Sequence, residues 1–383
     1  MAHAARASLA LARGQRGPAL DAVRQARNAI GDVTPREQQH IRVIDAIVDA
    51  HAPRLPLLLD YVRDYPRDAL IVDQAITAIS FSGRADREEY RLRLLRDLDR
   101  SYGEDWWFDS ALAFALHEVG RLEEARRLCE RSLTNRPTNA GAVHSYAHLF
   151  YEAADNTGGT RFLRPWLERY DPRAMLHSHL SWHLALFELQ RGEPDVAHRI
   201  LREAILPTSN RNSAVVDGAS LLWRLALDGY SNNGAEWRLI AAIASTIGRE
   251  ASPFLSMHAA FAYGSCGDEG SIAALERAVD LAQVRGSGRG LGLTIIRAIT
   301  AFVRGDRATC VRLLAPIEKE FHRIGGSRAQ WEILEETLVM AYFSLGQYEE
   351  AMPLVRRRVA RRATPRDLHW LQLADGYVPA AAR

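Results

Sequence analysis

The chain has 383 residues, with 49 Lys plus Arg against 47 Asp plus Glu, a formal net charge of +2 and 47% hydrophobic residues. That is length for one large core or two to three ordinary domains, and the charge balance argues against a protein built to coat nucleic acid. No apolar run reaches the roughly 18 residues of a membrane span. The start, MAHAARASLALARGQRG, carries arginines inside its apolar stretch, unlike a secretory leader, and Cys129, Cys266 and Cys310 show neither metal nor disulfide spacing, so a reducing cytoplasm is expected.

Helical periodicity runs the whole length, and no sustained strand alternation interrupts it. In chain order, Thr34-Pro35-Arg36-Glu37 reads as a helix start, with a Thr cap, Pro at the first helical position and Glu closing a capping box. The best single unit is Asp109 to Asn139. Gly120 breaks its first helix, Leu122, Ala125, Cys129 and Leu133 form one apolar stripe, and Pro137 ends the second helix. The same grammar returns at 191–207, 303–317 and 344–359. Pro137, Pro172 and Pro207 are spaced by 35 residues, close to the tetratricopeptide period of about 34. Ser327 with Gln330 forms a second capping box. These signals predict about ten helical hairpins starting near residues 2, 35, 67, 104, 139, 174, 213, 252, 289 and 327. The expected fold is an all-α, tetratricopeptide-like α-solenoid, a right-handed superhelix over 1–362, followed by a short C-terminal helix and tail over 363–383.

The most specific feature is a histidine ladder. His144 and His148 lie four apart on one helix and share a face, as do His179 and His183 on the next first helix. Each pair is offset from the other by 35 residues, so the four occupy equivalent positions in adjacent hairpins. Helices packed about 8 to 10 Å apart bring such rings within reach of each other. Stepping along the repeat adds Asp109 before the ladder and Asp217 and His258 after it, with Trp182, Trp223 and Arg224 close by. As tetratricopeptide folds are understood, this face lines the concave groove. Imidazoles with a carboxylate bind Zn, Fe, Ni or Cu, relay protons near neutral pH, or hold an acidic or aromatic ligand. The alternative is that they are ordinary packing residues bonded to one another. No Glu stands beside either pair, so the zinc-protease motif is absent.

The segments AVHSYAHLFYE (142–152), HLSWHLALFELQRGE (179–193), VVDGASLLWRLALDG (215–229) and IGGSRAQWEI (324–333) resemble the tetratricopeptide repeat protein 38 family, with TPREQQHIRVIDAI (34–47) as an earlier match at Arg36, Glu37 and His40. The resemblance implies a helical repeat solenoid, and it implies His144, His148, His179, His183, Asp217 and the Gly325-Gly326-Ser327…Gln330 turn as motif positions. It implies no particular reaction. The sequence departs from the family at Phe150-Tyr151, where His and Glu are usual, and at Trp331-Glu332, where Arg-Asp is usual. The first departure removes two possible metal ligands; Trp331 points to a different ligand.

Two functions follow as expectations. In the first, the solenoid carries a His-rich concave pocket that binds a small polar ligand or a divalent metal, with His144, His148, His179, His183 and Asp217 performing acid–base or hydrolytic chemistry. Asp109, Trp182, Trp223, Arg224, His258, Gln330 and Trp331 would line the ligand, and His148 and His183 are the candidate metal ligands. In the second, the protein is a non-catalytic scaffold that holds an extended peptide or partner in its groove. Neither nucleic acid nor membrane is an expected partner. GSGRGLGL (286–293) lacks the ending of a phosphate loop and reads as a linker. Arg356, Arg357, Arg358, Arg361 and Arg362 read as a solvated helix end. Trp106 and Trp107 read as interhelix core, and Cys129 and Cys310 as packing. Ser110 and Ser220 sit in no nucleophile elbow.

Overall fold

A helix that buries one stripe needs a neighbour, and a chain of such helices stacks them pairwise. The computed structural model describes residues 1–49, 54–230, 234–247, 252–284 and 290–377, and among them every regular element is helical. The hairpins are α1 (Ala2–Ala12) with α2 (Arg16–Asn28), α3 (Pro35–Val48) with α4 (Arg54–Asp64), α5 (Ala69–Ser80) with α6 (Arg87–Tyr102), and α7 (Trp106–Glu118) with α8 (Leu122–Asn135). Then come α9 (Ala140–Glu152) with α10 (Asn156–Leu167), α11 (His177–Gln190) with α12 (Pro194–Ile200), and α13 (Arg211–Leu227) with α14 (Ala235–Ser245). The last are α15 (Pro253–Cys266) with α16 (Glu269–Val284), α17 (Leu291–Val303) with α18 (Arg307–Leu314), and α19 (Arg328–Ser344) with α20 (Tyr348–Arg361), before a single α21 (Pro365–Tyr377). This is an all-α, tetratricopeptide-like solenoid. Two second helices do not end cleanly: α12 widens into a π segment, Leu201–Ile205, and α18 runs on as a 3-10 stretch, Ala315–Ile324.

Local chemistry sets the helix starts. Thr34 accepts the Glu37 N–H while Glu37 takes the Thr34 N–H at 2.9 Å, and Ser327 and Gln330 form the second capping box. Asp105, Asn139, Asn210 and Ser252 cap α7, α9, α13 and α15 through their side chains. Gly120, at φ 81°, makes the left-handed turn between α7 and α8. Where α10 crosses α11, Gly159 lies against the ring of Phe187, with no room for a Cβ.

The tenth hairpin folds back onto the earlier ones. Tyr151 of α9 donates to Glu332 of α19 at 2.9 Å, and Trp223 of α13 donates to Thr337 at 3.1 Å. Arg224 of α13 donates to the Ala329 carbonyl at 2.8 Å. The turn before α19 reaches the third hairpin: Arg323 donates to the Gly83 carbonyl at 2.8 Å and Arg87 to the Gly326 carbonyl at 2.6 Å. Side chains of α9 and α13, first helices of their hairpins, therefore meet α19.

This return corrects the reading of the basic run. Arg356 and Arg357 are exposed, but Arg358 and Arg362 are buried and Arg361 is mostly so. Arg358 pairs with Asp367 at 2.7 Å and Glu335 at 2.6 Å, and Arg361 with Glu332 at 2.9 Å. Three glutamates on α19 need cations, and the end of α20 supplies them. Trp107 joins the core against Tyr102 and Phe108, whereas Trp106 is 40% exposed. Half of the Gly-rich segment (286–289) and the tail after Tyr377 lie outside the described residues.

Candidate metal centre

The repeat places equivalent residues of α9 and α11 beside each other, and four imidazoles converge there. His144, His148, His179 and His183 each offer a nitrogen, and these atoms all lie within 4.8 Å of one another. His148 and His183 are fully buried; His144 and His179 are partly exposed, which leaves one side open to solvent. His144 Nε2 is 3.0 Å from His179 Nε2 and 3.1 Å from His148 Nε2.

Asp217 of α13 decides the protonation of this group. Its Oδ1 lies 3.0 Å from His179 Nδ1, and its Oδ2 accepts the Ser213 hydroxyl at 2.6 Å. A carboxylate accepts, so the proton sits on Nδ1 and the Nε2 lone pair of His179 faces His144. His144 Nε2 carries at most one hydrogen and serves both of its contacts only as a shared, weakened donor. Both nitrogens of His183 and Nδ1 of His148 are buried without a partner. Burial first, then the neighbouring histidines, push His144, His148 and His183 well below the usual 6.5. These rings are neutral at pH 7, the form that binds metals.

Trp182 stacks on His179 with centroids 5.2 Å apart and meets His183 edge-on at 4.8 Å, forming an apolar wall. Arg224 lies 6.0 Å from the Trp182 ring, but its charge is committed to Glu336 at 3.0 Å. Four other expected residues stand apart from the rings. Asp109 is gripped at both oxygens by Arg131 of α8, at 2.8 and 2.6 Å. Trp223 packs between Phe261 and Phe302. Gln330 is used in the cap of α19. Trp331 packs partly buried against the core, with Arg328 5.9 Å from its ring. His258 is buried on α15 and donates from Nδ1 to the Phe254 carbonyl at 2.9 Å. It is close enough to feel the charges of Asp217 and Arg224.

Two neighbours escaped the sequence reading. His117 and Glu118, at the end of α7, form a second ligand group with His148, again within 4.8 Å. The repeat would have shown His117 by extending the face by one turn: Ala113 is 35 residues before His148, and His117 is four beyond it. Burial would raise the Glu118 carboxyl, but His117, Arg91 and Arg87 hold it down to about 2. Arg91 also lies 4.8 Å over the Phe114 ring, which stacks on His144.

Residues 106–131 match the tetratricopeptide repeat family. Among solved structures, the chain is similar to one in the APC/C hetero-tetramer Cut9-Hcn1, with 11% identity and a TM-score of 0.45, over 92% of this chain and 59% of that one. It is similar to the human IFIT1 dimer with m7Gppp-AAAA, with 11% identity and a TM-score of 0.45, over 97% and 88%. It is also similar to a chain of Naa15/Naa10 bound to HypK-THB, with 10% identity and a TM-score of 0.28, over 98% and 65%. The protein thus spans less than two thirds of the first and third of these chains. Tyr151 and Glu332 touch one another, and Arg362 bonds to both.

Among the described residues, no helix is long and apolar enough to cross a membrane.

Proposed function

We propose that this tetratricopeptide-like protein holds a divalent transition-metal ion between α9 and α11, with His144, His148, His179 and His183 as ligands and Asp217 orienting His179. One observation carries the reading: three Nε2 atoms approach to 3.0 and 3.1 Å around His144, and hydrogen bonding does not satisfy them all. Imidazole nitrogens about 2.05 Å from a tetrahedral ion lie about 3.3 Å apart, close to the two separations around His144. A carboxylate behind a ligating histidine is the usual orienting device. Neutral, buried imidazoles suit Zn, Cu, Fe or Ni. The resemblance to the tetratricopeptide repeat protein 38 family supports the choice, because His144, His148, His179, His183 and Asp217 are its motif positions.

Such an ion would polarise an oxygen and activate water for hydrolysis once water takes the place of one of the four imidazoles, because a tetrahedral ion with four protein ligands has no open position. The open edge at His144 and His179 gives a small polar substrate its access, and Trp182 keeps the far side dry. A reducing, cytoplasmic setting belongs to the same reading, since Cys129 and Cys310 are spent on packing and none of the three cysteines is bridged.

The test is elemental analysis of the purified chain, with His148→Ala and His183→Ala beside it. The expected result is stoichiometric metal in the parent, loss in both variants, and an unchanged helical spectrum. A metal-free parent that binds no added zinc or cobalt rejects the centre. The second reading, an interaction scaffold, rests on the repeat at 106–131, the kind of unit that commonly serves partner binding. A partner would use faces other than those of α9 and α13 that α19 already meets. A metal-free chain that captures a partner favours that reading.

A further inference from the structure

We propose that the centre is binuclear: His117 and Glu118 hold a second divalent transition-metal ion, and His148 belongs to both ligand sets. The proposal rests on the first ion being bound as described above. His117 Nδ1 donates to the Phe114 carbonyl at 2.7 Å, so its Nε2 is the free ligand atom. That Nε2 forms an ion pair with Glu118 Oε1 at 2.9 Å but lies outside hydrogen-bond geometry. The two atoms are close without being aligned for a shared proton. Two ligands of one cation approach in this way. Both side chains are almost fully buried, at 1% and 4% exposure, so water does not satisfy them.

His148 is the third member, with a ring nitrogen within 4.8 Å of the His117 and Glu118 ligand atoms. Its ring centroid lies 4.6 Å from that of His117 and 4.5 Å from that of His183. An imidazole projects its two nitrogens from opposite sides. His148 Nε2 faces His144 at 3.1 Å, and Nδ1 is the buried nitrogen left without a partner. Ligation through both breaks the remaining N–H bond, sends that proton to solvent and leaves an electron pair for each ion. Glu118 supplies the one carboxylate of this set, whereas the first set is imidazole only.

Cobalt(II) titration of the full chain tests this, read by bound equivalents and by electron paramagnetic resonance. The parent should take two equivalents, with signal per cobalt reduced by coupling between neighbouring ions. Glu118→Gln, which preserves shape, should take one equivalent with full signal and an unchanged helical spectrum. His179→Ala should lose the first ion and keep one that depends on Glu118. A parent that takes one equivalent, or a Glu118→Gln variant that still takes two, overturns the second site and leaves the first standing. A parent that takes none overturns both.

Discussion

Asp217 Oδ1 and His179 Nδ1 lie 3.0 Å apart, and this bond between α13 and α11 determines which nitrogen of His179 faces the other rings. Removing it should therefore act on ligation rather than on folding. Asp217→Ala frees His179 to turn and to carry its proton on Nε2. We expect zinc affinity, measured by calorimetry, to fall roughly 10- to 100-fold. The helical spectrum should not change. An unaltered affinity would mean that the carboxylate merely fills space beside Ser213.

Acid should destabilise the metal-free protein, and His258 isolates one part of the effect. Burial, which outweighs its bond to Phe254 and the charge of Asp217, lowers His258 to about 4. In the unfolded chain it titrates near 6.5. Between about pH 6.5 and 4 the unfolded state therefore takes up a proton that the native state refuses, and stability falls as pH falls through that window. At pH 5 the loss is about 2 kcal/mol for this one group. Urea unfolding with chelator present should show a shallower pH dependence for His258→Asn than for the parent. His144, His148 and His183 add losses of the same sign.

The repeat was legible because each hairpin announces itself locally. Gly120, Pro137 and the boxes at Thr34 and Ser327 act within a few residues, so the expected hairpin starts fall within three residues of the helices. The histidine ladder was legible for the same reason: a 35-residue offset translates directly into neighbouring positions on stacked helices. What escaped is long-range. Nothing near Arg358 in sequence shows that Glu335, 23 residues earlier, is buried and needs its charge. The pairing of Arg87 with Gly326, 239 residues away, depends on the curvature of the whole superhelix. Asp109 obeys the repeat spacing, yet Arg131 on its own second helix is nearer than any ring and captures it.

The buried ion network makes a prediction of its own. Arg358 is 2% exposed and contacts Asp367, Glu335 and Glu336. Arg358→Met keeps much of the volume but strands acidic groups in the interior. Removing one partner of a buried pair costs about 3–5 kcal/mol. Chemical denaturation should show a loss of that size, together with weaker docking of α21. Arg356→Met, on an exposed residue of the same run, should change stability little.

Gly159 links packing to the metal ligands. A Cβ there would sit 2.6 Å from Cε2 of Phe187, and Phe187 is fully buried and has no room to move aside. Gly159→Ala should cost about 1–3 kcal/mol from overpacking, despite the better helix propensity of alanine. Gly270→Ala in α16 meets only Asp268 Oδ1 at 3.7 Å and serves as the control that should not destabilise. Phe187 follows His183 by one helical turn on α11, so strain at the crossing with α10 displaces the segment that carries His179 and His183. Zinc affinity should fall with stability in Gly159→Ala, and both should recover when Phe187→Leu makes room. Recovery of stability without affinity would show that the crossing supports the fold but does not position the ligands.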